Sequence, residues 1–175
     1  MPLVVYGHPF SSYCQKVIVA FRETSTPFQL KRIEDAAGFE ELRRMWPIGL
    51  MPVVTDGTLM LIESSIIIEH VAPELVPSLE VRFLDRFFDN YVMTPMQKIV
   101  GDFLRPETER DPRGVSEAKA RLDVSYGWLN ERLMGREWAS GGNFTMADCA
   151  AAPSLYYADW VQPIDGRLAE TKAYR

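Results

Sequence analysis

The stretch Trp46-Pro47-Ile48-Gly49-Leu50-Met51-Pro52-Val53-Val54-Thr55-Asp56-Gly57-Thr58-Leu59-Met60-Leu61-Ile62-Glu63-Ser64 decides how this chain is read. Val53-Val54-Thr55 and Leu59-Met60-Leu61-Ile62 are short apolar runs on either side of Asp56-Gly57-Thr58. Asp-Gly between such runs is a strong hairpin signal, because both residues tolerate the positive φ of a type I′ turn. Pro52 heads the first run, and proline in strands is confined to first positions, edges and bulges. If the Met51-Pro52 bond is cis, the Met51 backbone is left free to pair with an extended peptide. Past the hairpin, a helix is expected from Ser64 through Val71, capped by Ser64 and stopped near Pro73.

Upstream, Leu3-Val4-Val5-Tyr6 reads as a buried strand broken by Gly7-His8-Pro9. Cys14, Val17, Ile18 and Phe21 then recur at helical spacing, and Phe28-Gln29-Leu30-Lys31 alternates as a second strand. Phe39, Leu42 and Met45 mark a short helix ending at Trp46-Pro47. The order is β-α-β-α-β-β-α: a parallel pair joined by a crossover, then an antiparallel hairpin. Beyond Pro73 and Pro77 the strand signals fade. Val81, Leu84, Phe88, Tyr91/Val92, Met96, Ile99 and Phe103 stripe a long helix expected to bend at Pro95. Ala118, Leu122, Tyr126, Leu129 and Leu133 stripe another, with Gly135 as its C-terminal cap. A third runs from Thr145 toward Trp160. The expected division is an α/β domain, residues 1–77, and an all-α domain, residues 78–175.

Composition supports a folded chain of one or two small domains: 175 residues, 47% hydrophobic and 11% aromatic. Nineteen basic against 24 acidic residues give a net charge of −5, which argues against a general nucleic-acid or anionic-membrane binder. Two cysteines, Cys14 and Cys149, are too few for a secreted disulfide scaffold. No basic-then-apolar leader opens the sequence, and no apolar stretch approaches the roughly 20 residues that span a bilayer. A cytoplasmic location is expected. His8 and His70 stand apart from each other and from any ligand cluster, so no metal is expected.

Chemistry concentrates in Pro9-Phe10-Ser11-Ser12-Tyr13-Cys14-Gln15-Lys16, between the first strand and the first helix. Polar groups there lie at the carboxyl edge of the sheet and at a helix N-terminus, where ligands and anions bind. Taken alone, Ser11 or Ser12 reads first as an ordinary N-cap and only second as a catalytic group. Further along, Thr145-Met146-Ala147-Asp148 has the form of a capping box, with Phe144 and Cys149 at staple positions. That is a folding element, and Cys149 reads as core.

Several spaced motifs in order make the chain resemble the glutathione S-transferases, of bacterial type and with some likeness to zeta- and theta-like members. The family's first loop commonly reads Ser-Pro-Tyr-Cys-x-Lys-Val, and here stands Ser11-Ser12-Tyr13-Cys14-Gln15-Lys16-Val17. Its Asn-Pro-x-Gly-x-Val-Pro segment is similar to Trp46-Pro47-Ile48-Gly49-Leu50-Met51-Pro52. Its Asp-Gly hairpin and Leu-x-Glu-Ser are similar to Asp56-Gly57 and Leu61-Ile62-Glu63-Ser64. The Ser/Thr-x-x-Asp box of its sixth helix is similar to Thr145–Asp148.

The resemblance implies a thioredoxin-like glutathione-binding domain, a helical second domain, glutathione as cosubstrate and a homodimer. It assigns Ser11 to the glutathione sulfur, Met51 with Pro52 to the cysteinyl unit, and Glu63 with Ser64 to the γ-glutamyl end. Tyr6 competes with Ser11, because some classes use a tyrosine near the end of the first strand. Lowering a thiol pKa from about 8.5 to about 6.5 takes about 2.7 kcal/mol. A hydrogen bond to a charged group supplies about 1.5–3 kcal/mol and a helix N-terminus about 0.3–1 more. Phe10, Tyr91 and Thr94 are the expected lining of the subsite for a small hydrophobic electrophile, with core packing the alternative for Tyr91. The stripe Phe83, Phe87, Phe88 and Tyr91 reads as core and dimer face.

Two departures stand out. Leu50 replaces the Lys, Gln or His that often holds the glycyl carboxylate, leaving Lys16 or Arg43 as substitutes, and Ser65 replaces an arginine of some classes. The family generally continues beyond the point reached by Asp165 to Arg175 with a further helix or two, which are expected to be missing here, as in a truncated chain. Three functions stay open: a transferase, a non-enzymatic relative that binds ligands or proteins, and a zeta-like cis–trans isomerase suggested by Ser11-Ser12. Disulfide reductase chemistry is not expected, because serine at position 11 cannot form a mixed disulfide.

Overall fold

The computed structural model describes residues 3–175, and the chain divides into two compact units, Met1–Pro77 and Ser78–Arg175. The first unit runs β1 (Leu3–Gly7), α1 (Ser12–Glu23), β2 (Phe28–Arg32), α2 (Ala36–Met45), β3 (Val53–Asp56), β4 (Leu59–Ile62) and α3 (Ser64–Val71). Its sheet has the order β2-β1-β3-β4. β1 and β2 are parallel, with Leu3 beside Phe28, whereas β3 is antiparallel to both β1 and β4. The β-α-β-α-β-β-α order of the sequence pattern is the order of the fold. The hairpin differs in detail: Asp56 pairs with Leu59 inside the ladder, so the loop is Gly57-Thr58, and Gly57 carries the positive φ of +59°. A two-residue loop with glycine first fits the type II′ pattern rather than type I′.

Val5, Cys14, Val17, Phe21, Ile33, Leu42, Val53 and Ile67 are fully buried and form this unit's core. At its centre β1 touches α1 very closely. A Cβ added at Gly7 would lie 2.4 Å from the Cys14 sulfur, so only glycine fits there. Gly7→Ala is expected to destabilise the protein by about 1–3 kcal/mol through overpacking. The same change made in a Cys14→Ala background should cost clearly less. A urea-melt double-mutant cycle measures the difference, and equal costs in both backgrounds would refute the contact as the cause.

The second unit runs α4 (Leu79–Phe87), a π-helical segment (Phe88–Met93), α5 (Thr94–Phe103), α6 (Pro112–Leu133), α7 (Met146–Val161) and α8 (Ala169–Tyr174). Its fully or nearly buried residues include Leu84, Phe88, Val92, Leu122, Tyr126, Leu129 and Leu155. The bend expected at Pro95 is replaced by the π-helical turn just before it. Pro95 has no N–H to offer the Tyr91 carbonyl, and its ring crowds that oxygen. The ladder widens instead, so that the Thr94 N–H bonds to Asp89. The Tyr91 carbonyl that Pro95 leaves without an amide accepts from the Ser125 hydroxyl of α6 at 2.8 Å. Phe103 also departs from the expected stripe: it is 73% exposed, with the Arg110 guanidinium above its ring.

Met134 rather than Gly135 occupies the C-cap of α6, and Gly135 follows it at φ +68°. The capping box of α7 forms, and Asp148 reaches back to the Thr145 N–H at 2.8 Å. The chain then forms α8, a short helix that no sequence signal announced. Its N-terminus is capped from a distance: Asn130 Oδ1 of α6 accepts from the Glu170 and Thr171 amides at 3.0 and 3.2 Å. Thr171 donates to the Tyr126 carbonyl at 3.0 Å, and the Tyr174 hydroxyl donates to Asp148 at 2.5 Å. Burial and the Asp148 charge raise the Tyr174 phenol well above its ordinary range, which keeps it a donor. Glu80 of α4 takes bonds from Arg132 and Arg136, and these guanidiniums hold its carboxyl below the usual range.

Candidate functional site

Ser11 stands at the N-cap of α1, with φ −75° and ψ 116°. Its N–H donates to the His8 carbonyl at 3.0 Å, and its hydroxyl oxygen accepts from the Cys14 N–H at a long 3.4 Å. The cap is therefore real, and the hydroxyl also lies within bonding reach of the Cys14 thiol. Ser12 is buried at 6% exposure, whereas Ser11 is half-buried, so Ser11 is the serine a ligand can reach. Cys14 is sealed, and burial pushes its thiol up, an effect that bonds to Ser11 and to the His8 backbone only partly offset. A buried, protonated thiol is a poor nucleophile.

Tyr6 alternates with the buried Val5 and Gly7 along β1, so it faces the other side of the strand. Its ring packs beneath the Lys31 ammonium of β2 at 5.2 Å.

The Met51-Pro52 bond is cis. The Met51 sulfur accepts from the His8 N–H at 3.2 Å, which ties the proline loop to the loop that carries Ser11. Among the described residues nothing bonds the Met51 amide or carbonyl. Leu50 is 64% exposed and has no polar atom to offer an anion. Of the two residues expected to compensate for it, Lys16 is 1% exposed and donates to Ser65 at 2.9 Å within the core, so it cannot reach a surface ligand. Arg43 does border this loop: its side chain covers Gly49, where an added Cβ would lie 3.2 Å from Arg43 Cγ.

Glu63, not Ser64, occupies the cap position of α3, with φ +69° and no side-chain capping bond. A non-glycine residue at that φ is strained by about 1–3 kcal/mol. Ser64 is the first helical residue and is buried, and the helix end beside it has no side-chain cap. An uncapped helix N-terminus attracts a carboxylate. Phe10 is 76% exposed at the tip of the first loop. In the second unit, Tyr91 is 44% exposed on the π-helical segment, and the Thr94 hydroxyl donates to the Asp89 carbonyl at 3.0 Å. The Tyr91 ring belongs to an aromatic cluster in which Phe87 stacks on Trp128 at 4.5 Å and Phe83 meets Trp128 edge-on.

The first unit thus gathers Ser11, Met51 and the loop residue His8 around one set of hydrogen bonds. Sequence reading overlooked His8. Its position two residues before the Phe10 amide was the available signal, because a side-chain acceptor at that spacing forms an Asx-like turn. Among the described residues no group of three or more His, Cys, Asp or Glu could hold a metal ion, and no helix is long and apolar enough to cross a membrane.

Residues 5–74 match the family profile "Glutathione S-transferase, N-terminal domain", and residues 111–170 match "Glutathione S-transferase, C-terminal domain". The chain belongs to the glutathione S-transferase family. Members of this family are enzymes that use glutathione as cosubstrate. Among relatives, glutathione S-transferase F12 of Arabidopsis thaliana is 27% identical, the match covering 90% of this chain and 82% of the relative. Glutathione S-transferase GstB of Escherichia coli strain K12 is 23% identical, covering 88% and 82%. A glutathione S-transferase of Methylobacillus flagellatus, solved with GSH bound, superposes with a TM-score of 0.84 at 22% identity, covering 98% of this chain and 93% of that one. At that identity the superposition speaks for the fold: this glutathione S-transferase has the mixed four-stranded sheet and the helical second unit of its family.

Proposed function

We propose that this glutathione S-transferase holds the glutathione sulfur at Ser11 and adds the thiolate to a small hydrophobic electrophile. The observation that carries this reading is the bond from His8 to Met51, which brings the loop of Ser11 and the open backbone of Met51 to one place. In this reading the Ser11 hydroxyl donates to the sulfur, and the Met51 backbone, fixed by Pro52, pairs with the cysteinyl unit. The uncapped start of α3 at Ser64 receives the γ-glutamyl carboxylate, and the exposed Glu63 carboxylate receives its amine. Phe10, exposed at the tip of the first loop, lines the acceptor side. Tyr6 is the less favoured thiolate partner, since its ring is engaged with Lys31. Burial of Ser12 favours addition over an isomerase using paired serines. The working form is a homodimer, with the half-exposed Phe83, Tyr91 and Trp128 offering apolar surface for it, and sedimentation velocity reads that state directly.

Leu50 favours the second reading, a non-enzymatic relative, because it withholds a contact to the glycyl carboxylate. Such a contact is worth about 1.5–3 kcal/mol, so glutathione should bind about ten- to a hundredfold more weakly than with a polar residue there. Titration calorimetry decides between the readings. Heat of glutathione binding in the native protein, tightened about tenfold or more by Leu50→Lys, is the expected result. A well-folded protein with no glutathione heat at millimolar concentration, with or without that substitution, would favour the non-enzymatic reading.

A further inference from the structure

His8 makes three bonds, two within its own loop and one to the proline loop, and only one of them belongs to its side chain. Its carbonyl accepts from the Ser11 N–H at 3.0 Å, and its N–H donates to the Met51 sulfur at 3.2 Å. Its imidazole Nδ1 accepts from the Phe10 N–H at 3.1 Å, and its ring stands 5.5 Å from the Phe10 ring. An Nδ1 that accepts is unprotonated, so the neutral ring carries its hydrogen on Nε2. Phe10 is 76% exposed, and both its backbone amide and its ring meet the His8 imidazole. The division of labour follows from the chemistry. Any residue at position 8 other than proline keeps the backbone bonds toward Ser11 and Met51, whereas the hold on Phe10 needs a side-chain acceptor placed two residues before its amide.

We propose that His8 is a positioning residue for the acceptor substrate: its imidazole fixes Phe10 as one wall of the electrophile subsite, while its backbone serves the glutathione side. This deepens the transferase reading above and rests on it. The substrate class it selects is a flat apolar electrophile that packs against a fixed aromatic ring.

The experiment compares His8→Ala and His8→Asn with the native protein. Asparagine carries an acceptor oxygen that bonds the amide two residues on, so it restores the turn without the imidazole. In His8→Ala, KM for an aryl halide acceptor should rise about fivefold, the size of one lost hydrogen bond, while KM for glutathione changes less than twofold. His8→Asn should recover most of the acceptor KM. Amide hydrogen exchange at Phe10, followed by NMR without any ligand, should quicken in His8→Ala and slow again in His8→Asn. If glutathione KM rises as much as acceptor KM, or if asparagine rescues neither KM nor exchange, the proposal is wrong. If the native protein neither binds nor turns over glutathione but the exchange pattern holds, the transferase reading fails while the His8 turn stands.

Discussion

Replacing Asp148 by alanine is expected to lower the stability of the protein by about 3–5 kcal/mol, with a fall in Tm of about 10 °C or more. Asp148 is 3% exposed, and its carboxylate takes four donors. Oδ2 accepts from the Thr145 N–H at 2.8 Å and from the Thr145 hydroxyl at 2.9 Å. Oδ1 accepts from the Ala139 N–H at 2.9 Å and from the Tyr174 hydroxyl at 2.5 Å. Alanine would leave two backbone amides and a phenol without acceptors in a water-poor place, at about 1–3 kcal/mol each before relaxation. Because the donors belong to the turn before α7, to its cap and to α8, three pieces of the helical unit loosen together. Asp148→Asn keeps the volume and part of the acceptor capacity and should lose less. Guanidinium melts followed by circular dichroism measure both, and a loss below about 1 kcal/mol for the alanine variant would show that the network contributes little.

Ser11→Ala is expected to lower kcat/KM for conjugation about ten- to a hundredfold near neutral pH, the value of one hydrogen bond to a charged sulfur. The sign with pH is fixed by the role. A donor to the thiolate depresses the thiol pKa, so its removal lets that pKa rise back toward about 8.5. The deficit is then largest at and below neutrality and shrinks as pH rises past the free-thiol value. Ser11 also caps α1, and alanine should cost about 1 kcal/mol of stability for that reason alone. Ser11→Asp separates the two effects. Aspartate is a good N-cap but an ionised carboxylate cannot donate, so stability should hold while activity is lost. Unchanged kcat/KM across the pH range in Ser11→Ala would transfer the role to Tyr6 or to another donor.

Much of the first unit was legible because its signals are local. Runs of Val, Ile and Leu between turn residues marked β1, β3 and β4, and spacing along Cys14, Val17 and Phe21 marked α1. Thr145 and Asp148 announced the start of α7 by chemistry confined to four residues. What escaped depends on partners far along the chain. α8 is capped by Asn130 of α6, some forty residues away, so no nearby residue announces it. The π-helical turn before Pro95 is supported by Ser125 from α6, again out of local view. Ser64 looked like a cap by residue type, but Glu63 at positive φ takes the cap position and Ser64 is the first residue of the helix. The site roles of Ser11, Met51, Pro52, Glu63 and Ser64 came from the resemblance of their motifs to those of the family. The fates of Lys16 and Arg43 were not, since burial of one and exposure of the other come from tertiary packing.

The two cysteines lie one in each compact unit, and both are fully buried. A thiol reagent in solution therefore reaches Cys14 only when the sheet and α1 part, and Cys149 only when the start of α7 opens. Under conditions where reaction is fast compared with reclosing, the labelling rate at each position is the opening rate of that unit. Mass spectrometry of the two peptides from one sample would then time the two units independently in the same unaltered molecule. The native sequence carries its own pair of clocks, and ligands that steady one unit without the other would slow only one of them.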